Sequence, residues 1–328
     1  MNVDQLLEDS VLNAKMAQLA QRIETDVADA TKEFAQWVGT PGQLVNSAAD
    51  FLNGVQRLDE MAVPMSDRYG VMPPADFYAL GSSFTTQTFY GNKINDRVLN
   101  EMKLPMIGSV QPYMAQTSVN ITTGTRTVAG AIAAPAQNVD YLAVKDGYTQ
   151  DLDVDGLGSG ATVNKGETFT IDGVFAVNPR TKENLGFLQE FTVLEDATAD
   201  GSGAVTLKIA NPIIVPSGTA QVLLTNTAFQ TCTAVPADDA VITFKGAPGT
   251  TFRTNSLFHK DAVQLAFVKP ERPYTGEYSY ATDPDTGIVV RTWAFSDGNS
   301  DQHSVRCDIL YGVVNHDRRL GLKLSGTV

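Results

Sequence analysis

The chain has 328 residues, of which 43% are hydrophobic, and it carries a formal net charge of -13 with a pI near 4.6. A chain of this length is expected to form two domains with a core large enough to need no disulfide or metal. Affinity for nucleic acid comes mainly from Lys and Arg. The acidic balance therefore argues against sequence-specific nucleic-acid binding, although a protein that encloses nucleic acid is compatible with it.

The N-terminus and the cysteines predict a soluble protein made in a reducing cytoplasm. Asp4, Glu8 and Asp9 stand where a signal peptide carries basic and apolar residues, and no apolar run reaches the length of a membrane span. Cys232 and Cys307 have no neighbouring cysteine at a metal-binding spacing. We therefore expect two free thiols rather than a structural disulfide.

One long periodic helix is predicted from Asp9 to Gly39, with a length of about 40 Å at about 1.5 Å per residue. Asp9 or Ser10 can cap its start, and Gly39 followed by Pro41 is a typical stop. Such a helix needs a sheet or other chains along its apolar face. The apolar residues recur every three or four positions on that face: Leu12, Met16, Leu19, Ile23, Val27, Ala30, Phe34 and Trp37.

The segment that follows alternates helices and strands, which predicts an α+β arrangement. In chain order we expect a helix at Leu44–Leu58, a strand at Arg68–Met72 stopped by Pro73 and Pro74, a helix at Ala75–Leu80 with proline in its first turn, a short helix at Asn92–Met102, and an extended segment at Leu104–Val110.

From about Val119 to Phe252 the composition shifts to Thr, Val, Gly and Ala in short alternating runs, separated by turn signals such as Asp146-Gly147 and Asp200-Gly201. This spacing predicts a separate sandwich or small barrel inserted into the chain. The predicted strands are Val119–Thr123, Val139–Val144, Thr168–Val174, Glu190–Leu194, Val205–Ile209, Gln221–Leu224 and Val241–Phe244.

The C-terminal segment predicts an antiparallel meander with strands at Asp261–Val268, Gly287–Phe295 and Val305–Val313. Turns are expected at Pro270–Pro273 and at Asp297–Ser300. Because no helix lies between these strands, we expect them to complete the sheet of the N-terminal half.

Two glycine- or aspartate-rich stretches were weighed as ligand sites. Asp151, Asp153, Asp155 and Gly156 match the first half of a calcium loop, but Thr162 stands where a bidentate Glu is required, so a solvated acidic turn is favoured. The Gly-x-Gly-x-Gly run at residues 156–160 opens onto no helix, which favours a linker over a phosphate cradle.

The histidines and aromatic residues do not predict an enzyme. The three histidines, His259, His303 and His316, are scattered along the sequence. An Asp-His pair could lie near Ser304, but a catalytic triad is defined by geometry and not by closeness in sequence. No Gly-x-Ser-x-Gly elbow is present. Five aromatic residues have no basic residues interleaved with them, so we expect them to pack in the core rather than to stack on nucleic-acid bases or sugars. They are Phe34, Trp37, Phe84, Phe89 and Tyr90.

Five stretches resemble the major capsid (coat) proteins of tailed double-stranded DNA bacteriophages, in particular the short-tailed phage subgroup with an inserted β-barrel domain. Arg68–Leu80 and Lys103–Ser109 look like parts of the axial domain of that family. Val163–Pro179 looks like its inserted domain, and Phe258–Ala262 and Arg306–Val313 look like its closing strands. Their order and spacing agree with the family along almost the whole chain.

The resemblance implies an α+β tailed-phage capsid fold with a long spine helix, an axial domain and an inserted all-β barrel. The implied domains are 1–40 for the peripheral domain with the spine helix, 41–118 for the first part of the axial domain, 119–252 for the inserted β-barrel, 253–296 for the rest of the axial domain, and 297–328 for the return to the peripheral and axial sheet.

The implied function is structural: self-assembly into hexamers and pentamers of an icosahedral shell that encloses packaged double-stranded DNA. The implied partners are copies of the chain, a scaffolding protein and the portal, with DNA enclosed without sequence-specific binding and no membrane contact. The implied location is the virion capsid, assembled in the host bacterial cytoplasm. We assign no enzyme activity, no cofactor, and no catalytic, cofactor-binding or metal-binding residue.

Family members carry an N-terminal arm and a β-hairpin loop before the spine helix, whereas this chain begins almost at the helix. We expect that these parts are either lost or encoded or processed separately.

Two other functions stay open. The β-rich middle is compatible with a binding or adhesion module of a phage or cell surface, and a hydrolase would use His259 or His303.

Overall fold

A computed structural model of the chain describes residues 10–86, 98, 101–284, 287–298 and 302–327. The predicted helix at Asn92–Met102 lies mostly outside these residues, and Phe89 and Tyr90 lie outside them entirely. The described residues form two compact units. The smaller unit contains the described residues up to Ala30 together with Val263–Val314, and the larger unit contains the rest.

Helices account for a minority of the described chain, and several begin where the sequence supplies a helix start. Ser47 caps the second helix by accepting a hydrogen bond from the Asp50 amide at 3.1 Å, and Pro74 opens the third, where its missing N–H costs nothing. The α-helices are α1 Ser10–Thr31, α2 Ala48–Glu60, α3 Pro74–Thr86, α4 Tyr141–Val144 and α5 Ala220–Ala228, and a 3-10 turn spans Arg318–Leu320.

Strands make up most of the remaining regular structure, which gives the mixed helix and sheet class predicted from the sequence. In chain order they are β1 Gln36–Val38, β2 Arg68–Met72, β3 Val110–Met114, β4 Val119–Thr122, β5 Ala131–Ile132, β6 Thr149–Asp155, β7 Thr162–Val163, β8 Thr168–Val177, β9 Asn184–Val193, β10 Ala197–Thr198, β11 Val205–Ala210, β12 Ile242–Phe244, β13 Thr251–His259, β14 Val263–Val268, β15 Glu277–Thr282, β16 Val289–Asp297, β17 Gln302–Asn315 and β18 Gly321–Leu324.

The first sheet of the larger unit has the order β1-β18-β13-β2-β3, and β4 also pairs with β13. β1 is parallel to β18 and β2 is parallel to β3, whereas β13 is antiparallel to its partners. Helix α2 covers this sheet, and its buried Phe51 and Leu58 belong to the same apolar core as Leu257 and Leu322. Strands from three distant parts of the chain therefore share one core.

Helix α1 ends at Thr31, eight residues before the Gly39 stop that the periodicity predicts. Phe34 and Trp37 continue the apolar spacing, but both are fully buried in the larger unit rather than on a helical face. The Phe34 ring lies where a side chain at Gly321 would stand, and the backbone around Trp37 pairs with β18. Burial of these rings against the sheet outweighs the local helical periodicity.

Gly39 lies just after strand β1 of the first sheet and does not end a helix. Its φ of 88° lies in the left-handed region, and a Cβ there would stand 2.0 Å from the Ser325 carbonyl oxygen. Only glycine permits this approach between the end of β1 and the chain after β18.

The second sheet lies in the middle of the chain and has the order β12-β8-β9-β11-β6-β5. An Ala131↔Val241 bridge joins its two ends, and the Ile242 amide donates to the Gly130 carbonyl at 2.9 Å, so the sheet closes on itself. We call residues 130–244 the closed sheet. Its interior is filled by fully buried side chains that include Ile132, Leu152, Val154, Phe169, Ile171, Phe191, Val193, Leu207, Ile209 and Ile242.

Two predicted strands of this region are helical instead, and the prediction was wrong there. Residues 139–144 contain α4, and residues 221–224 lie inside α5. The buried side chain of Asn226 joins them, because its Oδ1 accepts from the Tyr141 amide at 3.0 Å and its Nδ2 donates to Asp140 at 2.9 Å. Short apolar runs such as these fit a helix or a strand equally well, and the contact between the two distant segments favours the helix.

The smaller unit contains a four-stranded sheet with the order β14-β17-β16-β15. The predicted antiparallel pairing of the strands at 287–295 and 305–313 is confirmed by β16 and β17. The meander order was wrong for the strand at 261–268, because β14 lies beside β17, and β15, which was not predicted, takes the place beside β16. The prediction that these strands complete the first sheet was wrong, because β13 and β18 fill those places. On one face of the small sheet the Tyr311 hydroxyl donates to Asp26 of α1.

Candidate functional site: an ionic junction and an aromatic-cationic face

The first sheet and the closed sheet meet at a junction of buried polar groups around Trp37. The Trp37 amide donates to Glu190 Oε2 at 2.6 Å, and its indole Nε1 donates to Ser325 Oγ at 3.0 Å. Lys245 contacts both the Trp37 carbonyl and the Glu190 carboxylate. Glu190 belongs to the closed sheet and Lys245 directly follows its last strand, whereas Trp37 and Ser325 belong to the first sheet and its C-terminal extension.

Lys323 lies at the centre of the junction and is fully buried. Its Nζ donates to the Gly166 carbonyl at 2.9 Å, to the Lys32 carbonyl at 3.1 Å and to Thr192 Oγ1 at 3.2 Å. These three acceptors match the three N–H groups of an ammonium. Burial lowers the pKa of Lys323 well below its ordinary value, while the charge of Glu190 opposes this shift.

A second buried ion pair fixes the start of the closed sheet. Glu167 is fully buried, and its Oε1 accepts from the Gly124 and Asn164 amides at 2.7 Å each. Its Oε2 pairs with Arg126, whose guanidinium lies 3.8 Å above the ring of Phe244. Loss of the Glu167 carboxylate would leave Arg126 buried without a counter-charge.

At the edge of the junction, Glu33 joins three segments. Its carboxylate contacts Lys165 Nζ at 2.6 Å, Arg318 Nε at 2.9 Å and Asn315 Nδ2 at 2.9 Å. Burial acts to raise the pKa of Glu33, but the hydrogen bonds and charges of these partners outweigh it and lower the pKa below its ordinary value.

The junction has the chemistry of a structural joint. Its charges are paired with one another or with backbone groups, and among the described residues no group of three or more His, Cys, Asp or Glu side chains could hold a metal ion. Breaking one member of a buried pair costs about 3–5 kcal/mol. We therefore expect that breaking the junction weakens the attachment of the closed sheet to the rest of the larger unit.

A different surface lies on the four-stranded sheet of the smaller unit. Cross-strand pairs Tyr278↔Trp293 and Tyr280↔Arg291, with Asp308 opposite Arg291, share one face, and Tyr311 with its α1 contact lies on the other. We call the first face the aromatic-cationic face. It consists of Tyr278, Tyr280, Arg291, Trp293, Phe295, Arg306 and Asp308, with Lys269 and Arg272 beside it.

Cations stand over aromatic rings along this face. Lys269 Nζ lies 4.2 Å from the centre of the Tyr280 ring, and Arg272 lies 5.5 Å from that of Tyr278. Asp308 is shared by two arginines, Arg291 and Arg306. Lys269, Arg272, Arg291 and Arg306 thus outnumber Asp308, the carboxylate of this face, in a chain whose net charge is -13.

The residues weighed as ligand sites in the sequence do not form one. Asp151, Asp153 and Asp155 lie on strand β6 rather than in a turn, and the first two point outward while Leu152 and Val154 fill the closed sheet. The glycines at 156, 158 and 160 follow that strand with positive φ and open onto no helix.

Two of the three histidines, His259 and His316, belong to the larger unit. His259 is buried at the end of β13, where its Nδ1 lies 3.5 Å from Asp261 Oδ2. His316 lies in the larger unit with its amide bonded to the Ala262 carbonyl. The side chain of His303 lies outside the described residues, as does Asp301. Cys232 is buried and Cys307 half-buried, and both are free thiols, as predicted.

The aromatic-cationic face was missed from the sequence, although a signal for it exists. Basic and aromatic residues alternate with period two along β16, as in Arg291, Trp293 and Phe295, and they recur on β15 as Tyr278 and Tyr280. The interleaving that is absent around Trp37 is present here. The buried Lys323 had no such signal, because its depth depends on the closed sheet covering it.

Comparison with known proteins assigns the family. The family model described as the P22 coat protein, gene protein 5, matches residues 3–326. The chain belongs to the P22 coat protein family. A curated relative, the major capsid protein of Acyrthosiphon pisum secondary endosymbiont phage 1, is 21% identical over 337 aligned positions that cover 99% of this chain and 77% of the relative.

Two solved structures are also similar to this chain. The CUS-3 coat protein I-domain is 24% identical, covers 38% of this chain and 96% of its own, and gives a TM-score of 0.25. The capsid structure of the cyanophage P-SCSP1u is 12% identical, covers 73% of this chain and 67% of its own, and gives a TM-score of 0.26. Both TM-scores lie below 0.5, and the assignment rests on the family model.

As a member of this family, the protein is a structural coat protein of a bacteriophage and not an enzyme. Its copies assemble with one another into the shell, and its place is the virion. None of the helices in the described part of the chain has the length and apolarity needed to cross a membrane.

Replacing Glu167 by Gln tests the buried pair of the junction. We expect the free energy of unfolding, measured by urea denaturation, to fall by about 3–5 kcal/mol, because Arg126 stays buried without its counter-charge. Glu195→Gln is the matched control, since that side chain is 65% exposed in its pair with Lys208 and should cost at most about 1 kcal/mol. Equal losses in the two variants would contradict the assignment.

Glu33 predicts a pH dependence of stability. Because the folded pKa of Glu33 lies below its ordinary value of 4.5, its stabilisation is complete above that pH and is lost as the pH falls through the folded pKa. Wild type and Glu33→Gln should therefore differ most in free energy of unfolding near neutral pH and converge on acidification. A difference that stays constant down to the acid limb would refute this role.

Proposed function

We propose that the protein builds the hexamers and pentamers of an icosahedral shell that encloses packaged double-stranded DNA, with a scaffolding protein and the portal as further partners and the host cytoplasm as the place of assembly. The family match over residues 3–326 carries this proposal. In this reading α1 is the spine helix, and the closed sheet is the inserted domain within a discontinuous axial domain. The boundaries are those predicted from the sequence.

The large acidic excess supports enclosure of DNA rather than adhesion to it. A wall with a net charge of -13 gains little from phosphate contacts, so the packaged DNA stays free to move along it. Attraction between copies must instead come from local surface patches that do not carry the net negative charge of the chain.

The aromatic-cationic face is such a feature, and we propose that it contacts an acidic surface of a neighbouring copy. Lys269 and Arg272 are exposed and have no carboxylate partner among the described residues. Tyr274 is fully exposed beside them. Aromatic and arginine side chains are the groups that carry most binding energy in protein interfaces, and a second copy of an acidic chain offers the complementary charge.

A β-rich binding or adhesion module is the second candidate from the sequence. Its ligand site would have to lie on the closed sheet, and the outward residues of β6 there are acidic and separated by strand spacing. No cluster of aromatic and polar side chains typical of a glycan site stands out among them. The coat function is therefore the one that the geometry supports.

Reversing one charge on the face tests the proposed contact. Arg272→Glu should leave the subunit folded by circular dichroism, because the side chain is exposed, yet reduce closed shells in electron micrographs by at least about tenfold, since many copies multiply each lost contact. Arg180→Glu, in an exposed turn of the larger unit, is the control and should assemble normally. Normal shells from Arg272→Glu would remove the face from the interface.

A further inference from the structure

Two adjoining cavities open in the larger unit where the closed sheet meets the segment before β18. Their volumes are about 220 and 240 Å³, and they share the wall residues Tyr148, Asn211, Phe229 and Arg319. Each is smaller than the roughly 300–1,000 Å³ of pockets that hold drug-sized molecules. The space therefore suits a ligand of few atoms.

The walls of these cavities carry an excess of positive charge. Four cations line them, Lys145, Lys182, Arg318 and Arg319, against two carboxylates, Asp146 and Asp317. Arg318 also pairs with Glu33 outside the cavities, and the walls still keep one cation more than their paired charges. This local balance is the reverse of the whole chain, which has 37 Asp and Glu against 24 Lys and Arg. A pocket with this sign concentrates small anions.

Arg319 keeps unused hydrogen-bond donors. Its Nε and Nη2 donate to Asp317 at 2.9 and 2.7 Å, and its Nη1 donates to the Tyr148 hydroxyl at 3.2 Å, with the guanidinium 4.3 Å from the Tyr148 ring centre. A guanidinium has five N–H groups, so two remain after these three bonds. The Tyr148 hydroxyl, having accepted from Arg319, keeps its own proton to donate.

Lys182 faces the same space without a counter-charge. It lies in the turn between β8 and β9, where its Nζ is 3.5 Å from the Gln230 carbonyl, and it forms no ion pair with a described residue. Its amide donates to the Asn178 carbonyl at 2.9 Å, which fixes the turn. Burial, and after it the charge of Arg319, lowers the pKa of Lys182, so the two cations act on each other.

We propose that this cavity binds a small oxyanion of the phosphate class between Lys182 and Arg319. The unprotonated oxygens of such an anion accept hydrogen bonds, which matches donors left over on Lys182, Arg319 and Tyr148. It would also neutralise the excess of cations. Because Lys182 belongs to the closed sheet and Arg319 to the segment before β18, the bound anion would tie these two parts together. This goes beyond the coat function and does not depend on it.

Calorimetric titration of the purified full-length subunit with sodium phosphate tests the proposal, with sodium chloride of equal ionic strength as the reference. Wild type should bind phosphate with one-site behaviour and unfold at a higher temperature in its presence. Lys182→Gln should bind at least about tenfold more weakly and lose the phosphate-specific shift. Lys208→Gln, an exposed lysine of the closed sheet, is the matched control and should behave like wild type.

Lys182→Arg keeps the proposal testable if the Gln variant folds poorly, because it retains the charge and should retain binding. Absence of phosphate-specific heat in wild type would overturn the proposal, as would equal affinity in Lys182→Gln. A wild-type subunit that binds no phosphate while Lys182→Gln blocks shell assembly would instead assign the pocket to a carboxylate of a neighbouring copy, and it would equally refute the free-anion site.

Discussion

The larger unit depends on one fully buried lysine side chain. Lys323 lies on β18 of the first sheet, yet two of its hydrogen-bond acceptors, Gly166 and Thr192, belong to the closed sheet and the third, Lys32, to the chain that leaves α1. Taking the polar end of a lysine out of water is costly unless it is hydrogen-bonded. The closed sheet can therefore not move away without removing hydrogen-bond partners from Lys323, and an inserted segment becomes part of one unit.

The same requirement explains how a coat protein tolerates a large insertion. β4 leaves the first sheet and β13 returns to it, with Thr122 opposite Thr251, so the 128 residues between them start and end at neighbouring points of one ladder. Such an excursion leaves the register of the first sheet unchanged. The contacts among Trp37, Glu190 and Lys245 then fix the inserted segment to the first sheet. The aromatic-cationic face belongs to the smaller unit.

Elements with local signals were predicted well, and those decided by distant contacts were not. Arg68–Met72 was predicted with its observed bounds, because alternation and the following prolines define it. α1 was predicted too long, since Phe34 and Trp37 keep helical spacing and only the sheet makes them leave the helix. The junction could not be predicted for the same reason: a lysine in Gly-Leu-Lys-Leu looks like an exposed strand residue until the closed sheet covers it.

The measurement that tests the central claim most directly replaces residues 123–250 by Asn-Gly, which joins Thr122 to Thr251 as a two-residue hairpin and preserves the β4–β13 pairing. Urea unfolding and electron microscopy of the shortened chain would then be compared with those of the full chain. The junction account predicts a chain that is insoluble or lacks a cooperative transition, because Lys323 and Trp37 lose their partners. A soluble chain with comparable stability and closed shells would contradict it.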